Sequence, residues 1–286
     1  MTTTWDATAF DAFERQGWTG RSKAYQAGFA RMTAHTVAPL LDAAGVGAGT
    51  VVLDVGTGPG TVAAAALARG AKVTAVDASP EMAAHAAEAC PGAEVRVAVL
   101  PELPFPDASF DAVVGNFVIN HLGDPAAGLA ELRRVLRPGG MLALTCWDAG
   151  DAMRATAVFG EAVAESGIPY PDDLPSAGSF LADTNNRAAA FCGLLAESGF
   201  TDEWTRRVRW EHRVDRDEWW DAVVAGTPIT GSVIARQPAS VAASIKRLYQ
   251  AKVAPHAEPG PGRTVALPAV AVLAAARRGP VLGQRS

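Results

Sequence analysis

A run of β-forming residues followed by closely spaced glycines constrains this chain more than any other feature. Residues 50–55 (TVVLDV) are rich in valine, and Gly56, Gly58 and Gly60 follow at once. An alanine-rich segment from Val62 onward has helical character, so strand, tight turn and helix follow in order. Glycines at such a turn let a ligand touch bare backbone at a helix N-terminus. The stretch therefore predicts the start of a βαβ unit with a ligand site at its first turn.

Strands and helices alternate along the middle of the chain. Ser79, Pro80 and Glu81 are typical of a helix start, with an N-cap, a proline in the first turn and an acid facing the dipole. Such alternation predicts an α/β fold with a mainly parallel, doubly wound sheet that binds ligands at the carboxyl ends of its strands. The predicted strands are 50–55, 72–76, 95–99, 112–118 and 141–147, and a helix over 125–137 is stopped by Pro138, Gly139 and Gly140.

The flanks of this region are less regular. Before it, apolar residues at three- and four-residue spacing predict one amphipathic helix over 22–41, which Pro39 breaks or kinks. After it, the chain is expected to form a cap inserted before a last buried strand at 265–276. The predicted regions are an N-terminal helical cap (1–49), the core (50–150), a substrate cap (151–262), and the final strand with a tail (263–286).

Composition restricts the class of partner. With 25 Lys and Arg against 30 Asp and Glu, the net charge is −5, which argues against binding to nucleic acid or to an anionic membrane. Three cysteines without CxxC spacing or a histidine cluster predict neither disulfides nor a metal site, but buried thiols in a reducing cytoplasm. The first ten residues lack the positive charge and apolar stretch of a signal peptide, so no export is expected. The oligomeric state is left open.

The glycine turn indicates the chemistry of its ligand. A dinucleotide fingerprint would place its third glycine at position 61, which is Thr61. Asp54 would repel a pyrophosphate but attract an ammonium group. Asp77 ends the second strand, at a separation suited to accepting hydrogen bonds from ribose hydroxyls. A ligand with a ribose and a cationic amino-acid end fits these residues best.

The stretch from Val51 to Trp147 resembles the class I S-adenosylmethionine-dependent methyltransferases, particularly their type 11 small-molecule branch. The resemblance is carried by VLDVGTGPG, VTAVDASPEM, LPFPDASFDAVVGNFVINHL and LAELRRVLRPGG, about a third of the chain. It implies a Rossmann-like, mainly parallel seven-stranded sheet with helices on both faces, N-terminal helices and an inserted substrate cap. It also implies methyl transfer from S-adenosylmethionine, with S-adenosylhomocysteine as product, to a hydroxyl, amine or activated carbon of a small molecule.

The resemblance further implies which residues hold the cofactor. Those for its methionine and ribose parts are Asp54, Gly56, Thr57, Gly58, Gly60 and Asp77. Those for the adenine, the sulfonium side and closure over the methionine end are Ala78, Met82, Asn116, Phe117, His121 and Tyr25. Many relatives carry an acid after the third strand to bind the adenine amino group, where this chain has Val99, Leu100 and Pro101. That contact is expected from the Leu100 backbone or from Glu102.

His121 is the candidate catalytic residue. Holding the methyl donor and acceptor in line is the main task of such an enzyme, so no metal is required. If the acceptor is a hydroxyl or a protonated amine, a general base helps, and His121 is the best placed by type and position. A packing role is the alternative. His35, His85, His212 and His256 are interpreted as solvated or as local hydrogen-bonding residues.

Tryptophans in the cap region indicate a hydrophobic or aromatic acceptor. Trp147, Trp219 and Trp220 are the candidate substrate contacts, and the last two are adjacent, so one of them is expected to face the pocket. Trp204 and Trp210, on a strand predicted over 204–214, are expected to build the core of the cap. The same strand carries Arg206, Arg207, Arg209 and Arg213. They fit a solvated sheet edge, with an anion site as the alternative.

Three other functions compete with this reading. A protein that binds the same donor but catalyses another reaction, or none, would have the same fold and motifs. A nucleotide-dependent oxidoreductase is disfavoured by Asp54 and Thr61. Methylation of nucleic acid or protein is opposed by the acidic balance, and residues 116–119 (NFVI) lack the Asn-Pro-Pro-aromatic run of amino-methylating DNA enzymes.

Overall fold

A computed structural model describes residues 6–148, 153–175 and 186–279. The strands are β1 (Val51–Val55), β2 (Lys72–Asp77), β3 (Glu94–Val97), β4 (Phe110–Gly115), β5 (Leu136–Trp147), β6 (Phe200–Asp215) and β7 (Thr264–Arg278). The helices are α1 (Ala7–Gly17), α2 (Ser22–Ala27), α3 (Phe29–Thr33), α4 (Val37–Ala43), α5 (Thr61–Ala68), α6 (Pro80–Ala89), α7 (Pro125–Val135), α8 (Arg154–Glu165), α9 (Arg187–Glu197), α10 (Arg216–Gly226), α11 (Ile229–Ala235) and α12 (Ala239–Val253). None of the described helices is long and apolar enough to cross a membrane.

The strands form one seven-stranded sheet in the order β3-β2-β1-β4-β5-β7-β6. The first five are parallel, and β7 runs antiparallel to both β5 and β6. One apolar cluster packs α7 and α9 on one face, and another packs α4 and α5 on the opposite face. The predicted α/β fold, with a mainly parallel seven-stranded sheet between helices, is confirmed. The chain reverses its strand order between β1 and β4, which opens a crevice at the carboxyl ends of the strands.

The strand β6 forms one edge of the sheet. It pairs with β7 along its whole length, whereas β5 ends at Trp147, opposite Ala271. Residues 264–270 of β7 therefore continue past the end of β5, by about 24 Å at ~3.4 Å per residue. The paired ends of β6 and β7 form a two-stranded ribbon that projects from the edge where the crevice opens.

The cap is a helical layer packed on this ribbon. Its core joins residues of α3, α8, α10 and α12 to Val265 and Leu267 of β7. Trp219 and Trp220 are both buried there, so the expectation that adjacent tryptophans cannot share one core is wrong. The physical reason is that α10 is enclosed on several sides. The Trp219 ring lies 5.0 Å from Phe29 of α3, and the Trp220 ring 5.2 Å from Tyr249 of α12.

Several predicted boundaries change in the N-terminal segment. The predicted helix over 22–41 is divided into α2, α3, a 3-10 turn at Ala34–Thr36 and α4. The break comes at Gly28 rather than at Pro39, which the first turn of α4 accommodates. A Cβ at Gly28 would lie 2.3 Å from the Ala222 Cβ. The close packing of α2 against α10 therefore requires glycine at this position.

Other corrections concern the strands and their side chains. The fourth strand ends at Gly115 rather than 118, and α7 ends at Val135, before Pro138. Trp204 is 38% exposed and does not build the cap core. His212 is buried rather than solvated, and burial lowers its pKa to about 4. The predicted division into regions stays a prediction, and its boundary at 150/151 lies outside the described residues.

Two Trp→Ala substitutions test this account of the cap. Trp219 is fully buried and its Nε1 donates to the Ala155 carbonyl at 2.8 Å, so Trp219→Ala should lower the free energy of unfolding by about 3–5 kcal/mol. Trp204→Ala, on the exposed edge strand, should change it by about 0.5 kcal/mol or less. Denaturant unfolding of both variants measures the difference. Equal losses at the two positions would contradict the placement of Trp219 in the core.

Candidate functional site

A cavity opens at the carboxyl ends of β1, β2 and β4. Its walls come from the turn after β1, the end of β2, the segments after β3 and β4, and the helices α1 and α2. Ten residues that the sequence analysis singled out line it, namely Tyr25, Gly56, Gly58, Asp77, Ala78, Met82, Leu100, Asn116, Phe117 and His121. Residues far apart in the chain are thus brought to one place, while their roles there stay predictions.

The glycine turn forms a wall of bare backbone. Gly56, Gly58 and Gly60 all have positive φ, at +66°, +55° and +90°, a region that side chains with a Cβ rarely adopt. A Cβ at Gly56 would lie 2.6 Å from Val118 Cγ2, and one at Gly58 would lie 3.8 Å from Tyr25 Cε1. The backbone conformation therefore favours glycine at all three positions, and the close approach of Val118 also requires it at Gly56.

Asp54 lies buried behind this wall, immediately before the lining residues Val55 and Gly56. Its Oδ2 accepts a hydrogen bond from Thr57 Oγ1 at 2.6 Å, while Oδ1 has no partner among the described residues. Burial raises the pKa of Asp54 to about 7, despite the opposing effect of the Thr57 hydroxyl. The Ala63 N–H also lowers this pKa. Because Asp54 does not line the cavity, its carboxylate would act on a ligand there through its charge rather than by direct contact.

Asp77 joins the end of β2 to the glycine turn. Its Oδ2 accepts from the Gly58 N–H at 2.8 Å, and its Oδ1 accepts from the Ser79 N–H at 2.9 Å. Burial raises its pKa, whereas the two N–H donors act in the opposite direction. Each carboxylate oxygen has a second lone pair, so the carboxylate can also accept from a ligand in the cavity.

The segment after β4 is fixed by hydrogen bonds and ring stacking. Asn116 Oδ1 accepts from the hydroxyls of Thr36 and Thr145, both at 2.7 Å, and its Nδ2 donates to the Thr33 carbonyl. Phe117 has φ +63°, an unusual conformation for a residue with a side chain. Its N–H donates to Thr145 Oγ1 at 2.9 Å, and its ring stacks on Trp147 at 3.8 Å. The Asn116 amide therefore anchors the N-terminal segment to the sheet as well as lining the cavity.

His121 lies in a 3-10 turn at Val118–His121 and pairs with a buried acid of α1. Its Nδ1 is 2.9 Å from Glu14 Oε2, and the Trp18 Nε1 donates to the same oxygen at 3.0 Å. The Trp18 ring meets the imidazole edge-on at 5.3 Å. Burial lowers the pKa of His121, but the charge and hydrogen bond of Glu14 more than offset this, so the pKa is raised overall.

Sequence reasoning missed the contribution of α1 and the residue after it, which supply Asp11, Glu14, Arg15 and Trp18 to the cavity lining. Glu14 and His121 are 107 residues apart, and nothing in one sequence pairs them. One signal was available. Phe10 and Glu14, spaced by one helical turn, are the buried residues of α1, and an acid on the apolar face of a helix implies a buried partner.

Most of the other predicted positions lie outside the cavity wall. Thr57 and Gly60 belong to the turn but do not line the cavity, and Glu102 is exposed. Leu100 lines it together with Ala98 and Val99, so this side is apolar. Trp147 lies behind Phe117, and Trp219 and Trp220 lie in the cap core, so none of the three is a wall of this cavity.

The arginines of β6 do not converge on an anion site. Arg207 Nε pairs with Asp148 at 2.5 Å, and Arg213 pairs with Glu211 and Glu258. Arg206 lies over the Trp204 ring at 5.9 Å. These contacts fit the expectation of a solvated edge strand, where charged side chains discourage pairing with another chain.

Comparisons with known proteins agree with the fold and the glycine turn. Residues 53–144 match the family model for a type 11 methyltransferase domain. Demethylmenaquinone methyltransferase of Chlorobaculum parvum is 44% identical over 90 residues, which cover 31% of this chain and 37% of that protein. The chain spans less than half the length of the curated relatives it matches, from 32% to 46%.

Two solved structures share the fold at low sequence identity. The YcgJ protein of Bacillus subtilis matches with a TM-score of 0.55 and 19% identity, over 86% of this chain and 99% of that one. Phosphoethanolamine N-methyltransferase 2 of Haemonchus contortus, solved with S-adenosylhomocysteine, matches with a TM-score of 0.51 and 19% identity, over 86% and 52%. Residues 53–144 thus match a type 11 methyltransferase domain, and the two solved structures share the fold of the chain.

Proposed function

We propose that this protein binds S-adenosylmethionine in the cavity at the carboxyl edge of the sheet and methylates a small, apolar or aromatic acceptor. The observation that carries the proposal is the pairing of Asp77 with the Gly58 N–H at 2.8 Å. It places an acidic acceptor beside bare backbone at a helix N-terminus, and both line the same cavity. This combination suits a ligand that carries ribose hydroxyls next to a charged amino-acid end.

The residues present fit this cofactor. Asp77 would accept hydrogen bonds from the ribose, and the apolar side chains of Met82 and Leu100 would contact the adenine. Asp54, buried directly behind the glycine turn, would supply negative charge that attracts an ammonium group. When bound, S-adenosylmethionine supplies an electrophilic methyl group on a sulfonium. The protein's task is then to hold the acceptor near that methyl group and to exclude water.

The cavity wall supports a neutral acceptor with an apolar body. Three carboxyl groups line it, from Asp11, Glu14 and Asp77, against one arginine, Arg15, so an anionic acceptor would be repelled. The aromatic rings of Trp18, Tyr25 and Phe117 line the same cavity. Rings of this kind bind flat apolar molecules. The relative from Chlorobaculum parvum is named for demethylmenaquinone as its methyl acceptor, which supports an acceptor of this class here.

Removing the charge of Asp77 tests the donor site. Asp77→Asn should weaken binding of S-adenosylhomocysteine about 10- to 100-fold, since charge-assisted hydrogen bonds contribute about 1.5–3 kcal/mol. Asp111→Asn is a matched control. Asp111 also accepts a backbone N–H, from Val51 at 2.9 Å, but it does not line the cavity. Calorimetry on the two variants and the wild type measures the effect.

The same measurement can overturn the proposal. Undiminished binding by Asp77→Asn would contradict the site. Binding of NADH without binding of S-adenosylmethionine or its product would contradict the function itself. With donor binding established, apolar aromatic compounds are screened by mass spectrometry for the gain of one methyl group.

The raised pKa of Asp54 predicts a pH dependence of donor binding. An ammonium group favours the ionised carboxylate, so below about pH 7 binding must release a proton from Asp54. Affinity for S-adenosylhomocysteine should therefore fall as pH decreases through this range, approaching tenfold per unit, and level off above it. Calorimetry in buffers of different ionisation enthalpy counts the released protons. Asp54→Asn should bind more weakly at high pH and show no such slope, and a slope that survives the substitution would show that another group is responsible.

A further inference from the structure

The pairing of Glu14 with His121 makes one imidazole nitrogen different from the other. Glu14 is 5% exposed, and its Oε2 lies 2.9 Å from Nδ1 of His121. A carboxylate can only accept, so Nδ1 must carry the hydrogen of this bond. Nε2 makes no hydrogen bond among the described residues, and it is not among the buried polar atoms without a partner. In the neutral ring, Nε2 is therefore the basic nitrogen, and it is accessible.

We propose that Glu14 is a positioning residue that holds the Nδ1–H tautomer of His121, leaving Nε2 as a base for an acceptor with an ionisable phenolic or enolic hydroxyl. This inference rests on the proposed function. The hydroxyl proton would pass to Nε2, and the oxygen would keep the electron pair of the broken O–H bond. The imidazolium formed would be stabilised by the Glu14 carboxylate beside it. The ring would then return its proton to solvent, since the His121 side chain is 36% exposed.

The chemistry of the acceptor follows from the presence of a base. A neutral amine attacks with its own lone pair, whereas a hydroxyl becomes a strong nucleophile only as its proton leaves. A phenolate or enolate can react at oxygen or at an adjacent carbon, so this class covers both oxygen and carbon methylation. The aromatic rings of the cavity wall accommodate the flat body of such a molecule.

The charged groups around His121 support its role as a base. Glu14 and Trp18 of α1 contact it directly, and Asp77 acts on it from the end of β2. Asp11 and Arg15 of α1 line the same cavity. The two acids that act on the imidazole favour its protonated form and raise its pKa, and a base of raised pKa accepts a proton more readily.

The Trp18 indole makes the position of Glu14 specific. Its Nε1 donates to the same Oε2 that faces His121, from one turn further along the helix. The carboxylate is thus held by a second donor and cannot rotate freely away from the imidazole. An acid placed only to fix α1 to the domain would not need to share its oxygen between an indole and an imidazole. Asp11 already fixes α1 to the domain, since its Oδ1 accepts a hydrogen bond from the Gly123 N–H at 2.7 Å.

Nitrogen NMR of His121 tests the proposal without an acceptor. In the protein saturated with S-adenosylhomocysteine, we expect the Nδ1–H tautomer and a pKa above the ordinary value of about 6.5. Glu14→Gln should lower the pKa of His121, because burial then acts with less opposition. Glu81→Gln is the matched control, since Glu81 accepts from the Gly20 N–H at 2.9 Å but does not line the cavity. It should leave the pKa of His121 unchanged.

Two outcomes would overturn the proposal. One is an Nε2–H tautomer in the wild type, and the other is an unchanged His121 pKa in Glu14→Gln. A role for Glu14 in holding α1 alone would lower the melting temperature without changing either observable. Calorimetry separates this result from a failure of the proposed function. If S-adenosylhomocysteine does not bind to the wild type, the proposed function fails, whereas binding with an unshifted His121 overturns the role of Glu14 alone.

A matched pair of probes tests the acceptor class. With S-adenosylmethionine supplied, 2-naphthol should be methylated with a rate that rises with pH through the pKa of His121. His121→Gln should reduce that rate about 100-fold or more, the usual contribution of a general base. 2-Naphthylamine attacks with its own lone pair, so the wild type and His121→Gln should methylate it equally. Equal methylation of 2-naphthol by the two proteins would show that no base is used, and would overturn the assignment.

Discussion

The antiparallel insertion of β7 between β5 and β6 is the constraint on which both the sheet and the cap depend. Its carboxyl-terminal half completes the sheet, because it pairs with β5 from Met141 to Trp147. Its amino-terminal half continues past the end of β5, and β6 is the strand with which it pairs there. The strand β7 thus belongs both to the seven-stranded sheet and to the two-stranded ribbon, and the helices of the cap pack on the ribbon. The cap is therefore tied to the crevice by continuous backbone hydrogen bonds.

The cap in turn positions the N-terminal helices over the cavity. Phe29 of α3 packs in the cap core beside Trp219, and Gly28 allows α2 to approach Ala222 of α10. Thr33 and Thr36 then bond to Asn116 at the end of β4, so the same segment is held from the sheet side. A segment held from two sides can present Tyr25 to the glycine turn with little freedom. The predicted closing role of Tyr25 has this physical basis.

The domain core could be predicted from the sequence because its signals are local. Strand, glycine turn, helix and the acid at Asp77 follow one another within 28 residues, and each has its own chemical reason. The cap could not be predicted in the same way. Whether Trp219 and Trp220 face a core or a pocket depends on which helices enclose α10, and those helices come from distant parts of the chain. The start of β6 was missed, because a register shift between Thr201 and Trp204 interrupts the alternation that predicts a strand.

The same distinction explains why His121 was found and Glu14 was not. His121 lies in the stretch with the local signature, whereas Glu14 acquires its role only when α1 is placed against the turn after β4. A histidine in this cavity without Glu14 would be a weaker base, because burial lowers its pKa. The pair therefore divides one task between two parts of the chain. The sheet fixes where the imidazole stands, and the N-terminal helix fixes which of its nitrogens carries the proton.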